Sequence, residues 1–356
     1  MIRTLTKTAM AVALAGSVGL AAAAPVSAAD LPKNSFKAVG TWGNLSNYKL
    51  HEGPFWNKTI TDKSNGALTA HAPPLTELGL KGFEVMRLLK LGVFDFAFGV
   101  IGYIASEDAV FEGVDLAGIA QSIESAREVT KIYRPTLEKA FEKTFDAKLM
   151  VMYPFPSQLI FCNADLKSIK DLKGKRIRTY STTLGDFIEG AGASSVTIAF
   201  AEVVPALQKG VADCGITGTM PAYRAKWHEV ITDVLKLRVG WGVSFGAFSL
   251  KRWNKLDKAT QDFFTKEMAA LEEQMWAKTA EEDEMGIICN TGIAKCTEGE
   301  PGKMKLIEAS ADDEKARQKI LNDFVLKRWA SRCGDACVKE WNDTVGKYLK
   351  LTAKAN

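Results

Sequence analysis

The one stretch with the spacing of a covalent catalyst is Gly242-Val243-Ser244-Phe245-Gly246, a match to the G-x-S-x-G turn that exposes a nucleophilic serine between a strand and a helix. That chemistry needs a histidine base after the serine in chain order. His51, His71 and His228 all precede Ser244, and Ala247-Phe248-Ser249-Leu250 continues the strand pattern instead of opening a helix. A secreted hydrolase using Ser244 is therefore the weakest functional reading. His51-Glu52 lacks the second histidine that a zinc protease places one helical turn away. Neither a phosphate-binding G-x-x-x-x-G-K-[ST] loop nor a helix-opening G-x-G-x-x-G occurs, so nucleotide chemistry has no support, and no cofactor or metal is expected.

Cys162, Cys214, Cys289, Cys296, Cys333 and Cys337 are the remaining reactive side chains. Their spacing lacks the tight C-x-x-C pairs and neighbouring histidines of a zinc site, and an even number in an exported chain points to disulfides. The simplest pairing closes two local loops, Cys289–Cys296 and Cys333–Cys337, and leaves Cys162–Cys214 as the long-range bond, although sequence alone leaves the connectivity open. Export itself is read from the first residues. Arg3 and Lys7 precede an apolar, alanine-rich run from Ala9 to Ala24, and Pro25-Val26-Ser27-Ala28-Ala29 offers a small-residue cleavage site. Residues 1–29 are expected to be a signal peptide cut after Ala28 or Ala29, leaving a periplasmic protein. No other stretch approaches the ~20 apolar residues of a spanning helix.

The elements that would position a site alternate between strands and helices. Phe36–Gly40, Ala67–Ala70 and Gly92–Gly99 read as strands, separated by helical patterns from Tyr48 and over Gly82–Leu91. After a helix ending near Phe145 the pattern restarts with strands at Lys148–Tyr153, Ser157–Cys162, Arg176–Tyr180 and Ala212–Ile216, with helices at Leu184–Gly190 and Ala201–Gly210 between them. Such alternation predicts mostly parallel sheets flanked by helices, and the length predicts two domains. Pro154 and Pro156 mark a crossing between lobes. Lobe I is expected to comprise residues 30–154 and 244–288, and lobe II residues 155–243 and 289–356. A long helix from Asp257 towards Met285 would brace both lobes, with the acidic run Glu281–Glu284 as a solvated face. A further amphipathic helix is expected over Asp312–Ala330. The formal charge of +4, which falls to about +2 without Arg3 and Lys7, argues against a nucleic-acid surface.

One set of motifs is specific. Asp171-Leu-Lys-Gly-Lys-Arg-Ile-Arg178 is followed by Gly190-Ala191 and by Glu202-Val-Val-Pro-Ala-Leu-Gln-Lys-Gly-Val-Ala-Asp213. Together with Glu77-Leu-Gly79, Gly82-Phe-Glu84, Gly92-Val-Phe-Asp95 and Trp253-Asn-Lys-Leu256, this resembles the dicarboxylate-binding (DctP-type) substrate-binding subunits of tripartite ATP-independent periplasmic (TRAP) transporters. The resemblance implies a two-lobed α/β receptor that is not an enzyme. It would take a small organic acid between its lobes and hand it to membrane permease subunits, itself a monomer that neither enters the membrane nor binds nucleic acid. A sensing partner of a histidine kinase would share the same fold.

Residue by residue, the resemblance makes Arg178 the carboxylate anchor, because a planar guanidinium gives a carboxylate two parallel hydrogen bonds. Gln158 falls where some relatives carry a second cation, and its neutral amide favours a monoanion. Thr217 is the expected polar contact on the strand after Val211-Ala-Asp213. Beside the resemblance, Trp42 and Asn44 lie in the loop after the first strand, where open α/β sheets put binding residues. Tyr180, Trp241 and Phe245 complete the expected site, giving a ligand with one carboxylate and an apolar or aromatic body.

Overall fold

The computed structural model describes residues 31–355. The expected signal peptide at residues 1–29 lies outside the described residues. In chain order the strands are β1 (Asn34–Val39), β2 (Leu68–His71), β3 (Phe96–Val100), β4 (Ala147–Tyr153), β5 (Gln158–Cys162), β6 (Arg176–Thr179), β7 (Ser194–Thr197), β8 (Cys214–Gly218), β9 (Asp233–Gly240), β10 (Ser244–Ser249) and β11 (Lys305–Glu308).

They form two sheets. The first has the order β2-β1-β3-β10-β4 and the second β11-β9-β5-β8-β6-β7. Within the first, β1 runs parallel to β2 and β3, whereas β10 is antiparallel to β3 and β4. In the second, β6 is parallel to β7 and β8 and β5 is antiparallel to β8 and β9. The antiparallel strands are those that carry the chain between sheets. Pro154–Ser157 leads from β4 to β5, and Trp241–Val243 leads back from β9 to β10. The two crossings touch, with Phe155 N–H donating to Gly242 O at 3.4 Å.

One continuous apolar core runs through both sheets, whose central strands are buried on both faces; β3, β5, β8 and β10 have no exposed residue. In the first lobe Phe36, Trp56, Phe96, Phe248 and Phe264 pack edge to face at centroid distances of 4.8–6.1 Å. Helix α1 (Ile123–Phe145) covers β4 and is N-capped by Ser122, which accepts from Ser125 N–H. Helix α2 (Lys258–Thr291) is about 50 Å long at the usual rise. It packs on β4 near Trp276, whose indole donates to Met152 O, and further along reaches the helix Thr219–Arg224 of the second lobe. Gly286 permits that approach, because a Cβ there would sit 2.3 Å from Met220 N.

Two sequence expectations are corrected. The acidic run of α2 is only half a solvated face, with Glu281 and Glu284 exposed. Glu282 is buried, and Asp283 accepts from Ser157 N–H at 2.7 Å and from Arg238 at 3.1 Å, tying the helix to the first crossing. Nor does the C-terminal segment belong wholly with the second lobe. Ala311–Ile320 does, through Asp313 accepting from Ile169 N–H at 2.9 Å. From Leu326 onward the chain packs mainly on the first lobe, because Trp329 and Trp341 bury their rings there and donate to Ala109 O and Gly113 O, each at 2.8 Å, while Arg328 and Arg332 pair back to Asp186 of the second lobe at 3.3 and 2.8 Å.

Sulfur–sulfur bonds join Cys162 to Cys214, Cys289 to Cys296 and Cys333 to Cys337. The first links directly opposed residues of β5 and β8, the second closes the turn after α2, and the third closes the turn at Gly334.

Candidate functional site

Between the two sheets, against both crossings, lies a small cavity of about 30 Å³. The first lobe contributes Trp42, Leu45, Val100 and Tyr103. From the second come Gln158, Arg178, Tyr180, Phe200, Thr217 and Pro221, and the crossings add Phe155 and Gly242. The lining is largely apolar, as in pockets for small organic molecules.

Arg178 sits at the C-terminal part of β6, beside β8, and is only 1% exposed. Its Nε donates to Ile198 O at 2.9 Å and its Nη1 to Ile216 O at 2.8 Å, while Nη2 stands 3.5 Å from the Tyr103 hydroxyl. These contacts take at most three of the five N–H groups of a guanidinium. No carboxylate among the described residues lies within ion-pair distance of Arg178. Burial pulls its pKa below the ordinary guanidinium value. Arg176, two residues earlier on β6, is instead exposed and paired with Asp213 at 2.7 Å. The difference follows from position: Arg176 begins the strand at the surface, whereas Arg178 lies deep between β7 and β8.

Gln158, the first residue of β5, is 2% exposed and fixes its amide by donating Nε2 to Pro156 O at 2.9 Å. Thr217, on β8, is buried at the same cavity. Behind Gly242, Asp115 accepts from Trp241 N–H at 3.1 Å and Val243 N–H at 3.2 Å, pinning the return crossing to the first lobe. Burial outweighs those donors and pushes the Asp115 carboxyl up to about 6. Gly242 has φ +55°, and a Cβ there would meet Gln158 Nε2 at 3.1 Å and the Tyr180 hydroxyl at 3.3 Å. Glycine is therefore needed both for the backbone and for the cavity.

Of the residues singled out from sequence, Arg178, Gln158, Thr217, Trp42 and Tyr180 meet in this cavity. Three do not. Asn44 is exposed at the mouth and its side chain donates to Arg224 O at 3.4 Å. Trp241 turns into the protein, its indole donating to Ala120 O at 3.1 Å. Phe245 lies over Gly99 and against Phe141 at 4.9 Å, on the face of β10 turned to the core of the first lobe. Tyr103, Phe155 and Phe200 were not anticipated. Tyr103 directly follows the C-terminal end of β3, a position where α/β sheets often place ligand contacts, and this was the available signal. Ser244 lies within β10 and its hydroxyl donates to Gly242 O at 3.1 Å, so the serine stands in a continuous antiparallel strand and not at a turn into a helix.

Comparison with known proteins bears on this arrangement. The family model for DctP, bacterial extracellular solute-binding protein family 7, matches residues 41–331. Among solved structures, a Bordetella pertussis extracytoplasmic solute receptor binding pyroglutamic acid superimposes with a TM-score of 0.78 at 22% identity, over 88% of this chain and 100% of that one. A TRAP periplasmic solute-binding protein from Desulfovibrio salexigens with bound orotic acid gives 0.79 at 16% identity, over 88% and 99%. One from Sulfurospirillum deleyianum with bound succinate gives 0.77 at 20% identity, over 88% and 99%. The two-lobed fold is thus shared across these receptors.

Proposed function

The chain belongs to the DctP family of bacterial extracellular solute-binding proteins, and from that premise we propose that it is the periplasmic receptor of a TRAP-type uptake transporter, capturing a small monocarboxylate with an apolar or aromatic body. The observation that carries this reading is the buried, unpaired guanidinium of Arg178 in an otherwise largely apolar cavity. A buried charge without a partner is costly. A ligand carboxylate supplies the partner and receives two parallel charge-assisted bonds in return.

The rest of the lining supports one carboxylate, not two. Gln158 and Thr217 offer neutral polar contacts, and no second cation among the described residues lines the cavity. Trp42, Phe155 and Phe200 present ring surface to the body of the acid. Pyroglutamic and orotic acids, the ligands of two similar receptors, are ring-bearing monocarboxylates, and the succinate of a third is the contrasting case. The proposed receptor closes its lobes around the acid, sheltering the ion pair from water, and delivers it to membrane permease subunits. It does so from the periplasm, the reading that the expected signal peptide and the extracellular family support.

Calorimetry and thermal shift with a panel of pyroglutamate, orotate, phenylacetate, branched 2-oxo acids, succinate and galacturonate test the proposal. A ligand present at a hundred times its Kd adds about 2.7 kcal/mol to stability. Ring-bearing or branched monocarboxylates are expected to raise the Tm by several degrees. A panel in which only succinate does so contradicts the monocarboxylate preference, and one in which only galacturonate does so contradicts the apolar or aromatic body.

A further inference from the structure

Tyr103 brings a polar atom of the first lobe to the guanidinium of Arg178. It lies in the helical turn Ile101–Ile104 that follows β3, and it is 4% exposed. Its ring stacks face to face on Phe83 with centroids 4.1 Å apart and meets Trp42 edge-on at 5.5 Å. Those two contacts fix the direction of the phenol, which crosses the cleft. There the hydroxyl oxygen accepts from Phe200 N–H at 3.0 Å and stands 3.5 Å from Arg178 Nη2, both groups of the second lobe.

A phenol carries two acceptor sites and one proton. Both acceptor sites face donors, and no acceptor among the described residues takes the proton. Burial holds the Tyr103 pKa above its ordinary value, so the oxygen keeps that proton. A free O–H donor therefore remains in the cavity beside the free N–H groups of Arg178, and no carboxylate among the described residues lines that cavity.

We infer that Tyr103 is a ligand-binding residue that donates its phenolic hydrogen to the same carboxylate that Arg178 holds, so that the bound acid is gripped from both lobes at once. The inference rests on the proposed function and deepens it. It also separates two kinds of cross-cleft contact. The Lys81–Glu202 ion pair at 2.6 Å spans the mouth, but both side chains are about half exposed and water screens them. The Tyr103 contact is buried and includes the ligand, so it governs how long the closed, loaded form persists. Dissociation should feel its loss more than association does.

The test is Tyr103→Phe, which keeps the ring and its stacking, measured against Lys81→Ala, which removes the exposed ion pair at the mouth and leaves the phenol in place. Affinities for pyroglutamate, orotate and phenylacetate are taken by calorimetry, and dissociation rates by stopped-flow tryptophan fluorescence. Loss of a hydrogen bond to a charged group predicts roughly ten- to hundredfold weaker binding in Tyr103→Phe, expressed as faster dissociation. Lys81→Ala is expected to stay within about threefold of wild type, and the unliganded Tm of Tyr103→Phe within a few degrees. Wild-type affinity in Tyr103→Phe, with binding lost in Arg178→Ala, overturns this inference and leaves the proposed function standing. A loss in Lys81→Ala equal to that in Tyr103→Phe also overturns it, since any weakening of the closed form would then account for both. A panel in which no acid binds the wild type removes both readings together.

Discussion

Replacing Arg178 by methionine separates the energetics of the site from those of the fold. The variant keeps a long unbranched side chain and removes the charge. In the unliganded protein the guanidinium is 1% exposed with no carboxylate within ion-pair distance among the described residues, and the desolvation of such an ion costs several kcal/mol. Opposing this are its bonds to Ile198 O at 2.9 Å and Ile216 O at 2.8 Å, each worth about 1.5–3 kcal/mol when the donor is charged. The two terms offset to within about 2 kcal/mol, so the unliganded Tm of Arg178→Met should lie within several degrees of wild type. Binding has no such compensation. Truncating one member of a buried charged pair costs about 2–5 kcal/mol, or roughly 30- to 5000-fold in Kd. Thermal unfolding without ligand, followed by calorimetry with the strongest acid of the panel, reads both quantities. Undiminished affinity would remove Arg178 from the site, and a collapse of the unliganded Tm would make it a structural residue instead.

Three other outcomes follow from the same geometry. Glu52 is fully buried, accepting from Thr41 and Tyr153, and burial pushes its carboxyl up to about 7. The folded protein thus holds a proton that the unfolded chain has released, and stability falls by about 3 kcal/mol as pH rises from about 4.5 to 7; Glu52→Gln should flatten that slope in thermal melts across the range, and parallel curves would refute it. Removing the Cys162–Cys214 bond with a double alanine variant frees a span of 52 residues, for an expected loss of about 4 kcal/mol by urea denaturation; a loss under about 1 kcal/mol would contradict the loop-entropy argument. Gly242→Ala places a methyl at φ +55° against Gln158 and Tyr180, costing about 1–2 kcal/mol of stability and weakening acid binding by calorimetry, whereas unchanged binding would show that the crossing does not shape the cavity.

Much of the architecture was legible because strands buried on both faces leave continuous apolar runs. Gly92–Gly99, Lys148–Tyr153 and Ser157–Cys162 announced β3, β4 and β5 to within a few residues. β7 and β11 were missed for the opposite reason. Both are four-residue edge strands, Ser194–Thr197 and Lys305–Glu308, carrying polar residues with little apolar pattern. β9 was missed although it lies inside its sheet and its alternation Leu235-Lys-Leu-Arg-Val239, with Lys236 and Arg238 the less buried positions, is the pattern of a half-buried strand.

At the site, Arg178 was legible through its motif, but the fate of the aromatic residues was not. Phe245 lies directly opposite Gly99 in the β10–β3 pairing, and that register turns its ring towards Phe141 and away from the cleft. A one-residue slip would reverse the outcome, and no local pattern encodes it. Tyr103 and Phe200 reach the cavity only because two lobes approach each other, a contact between segments 97 residues apart.

The central claim is that one carboxylate meets Arg178 between the lobes. A crystal structure of the protein with the most stabilising acid tests it most directly. The account predicts both carboxylate oxygens about 3 Å from the Nη1 and Nη2 atoms of Arg178, with the body of the acid against Trp42 and Phe155. An acid bound outside this cavity, or inside it with its carboxylate turned away from Arg178, would contradict the account.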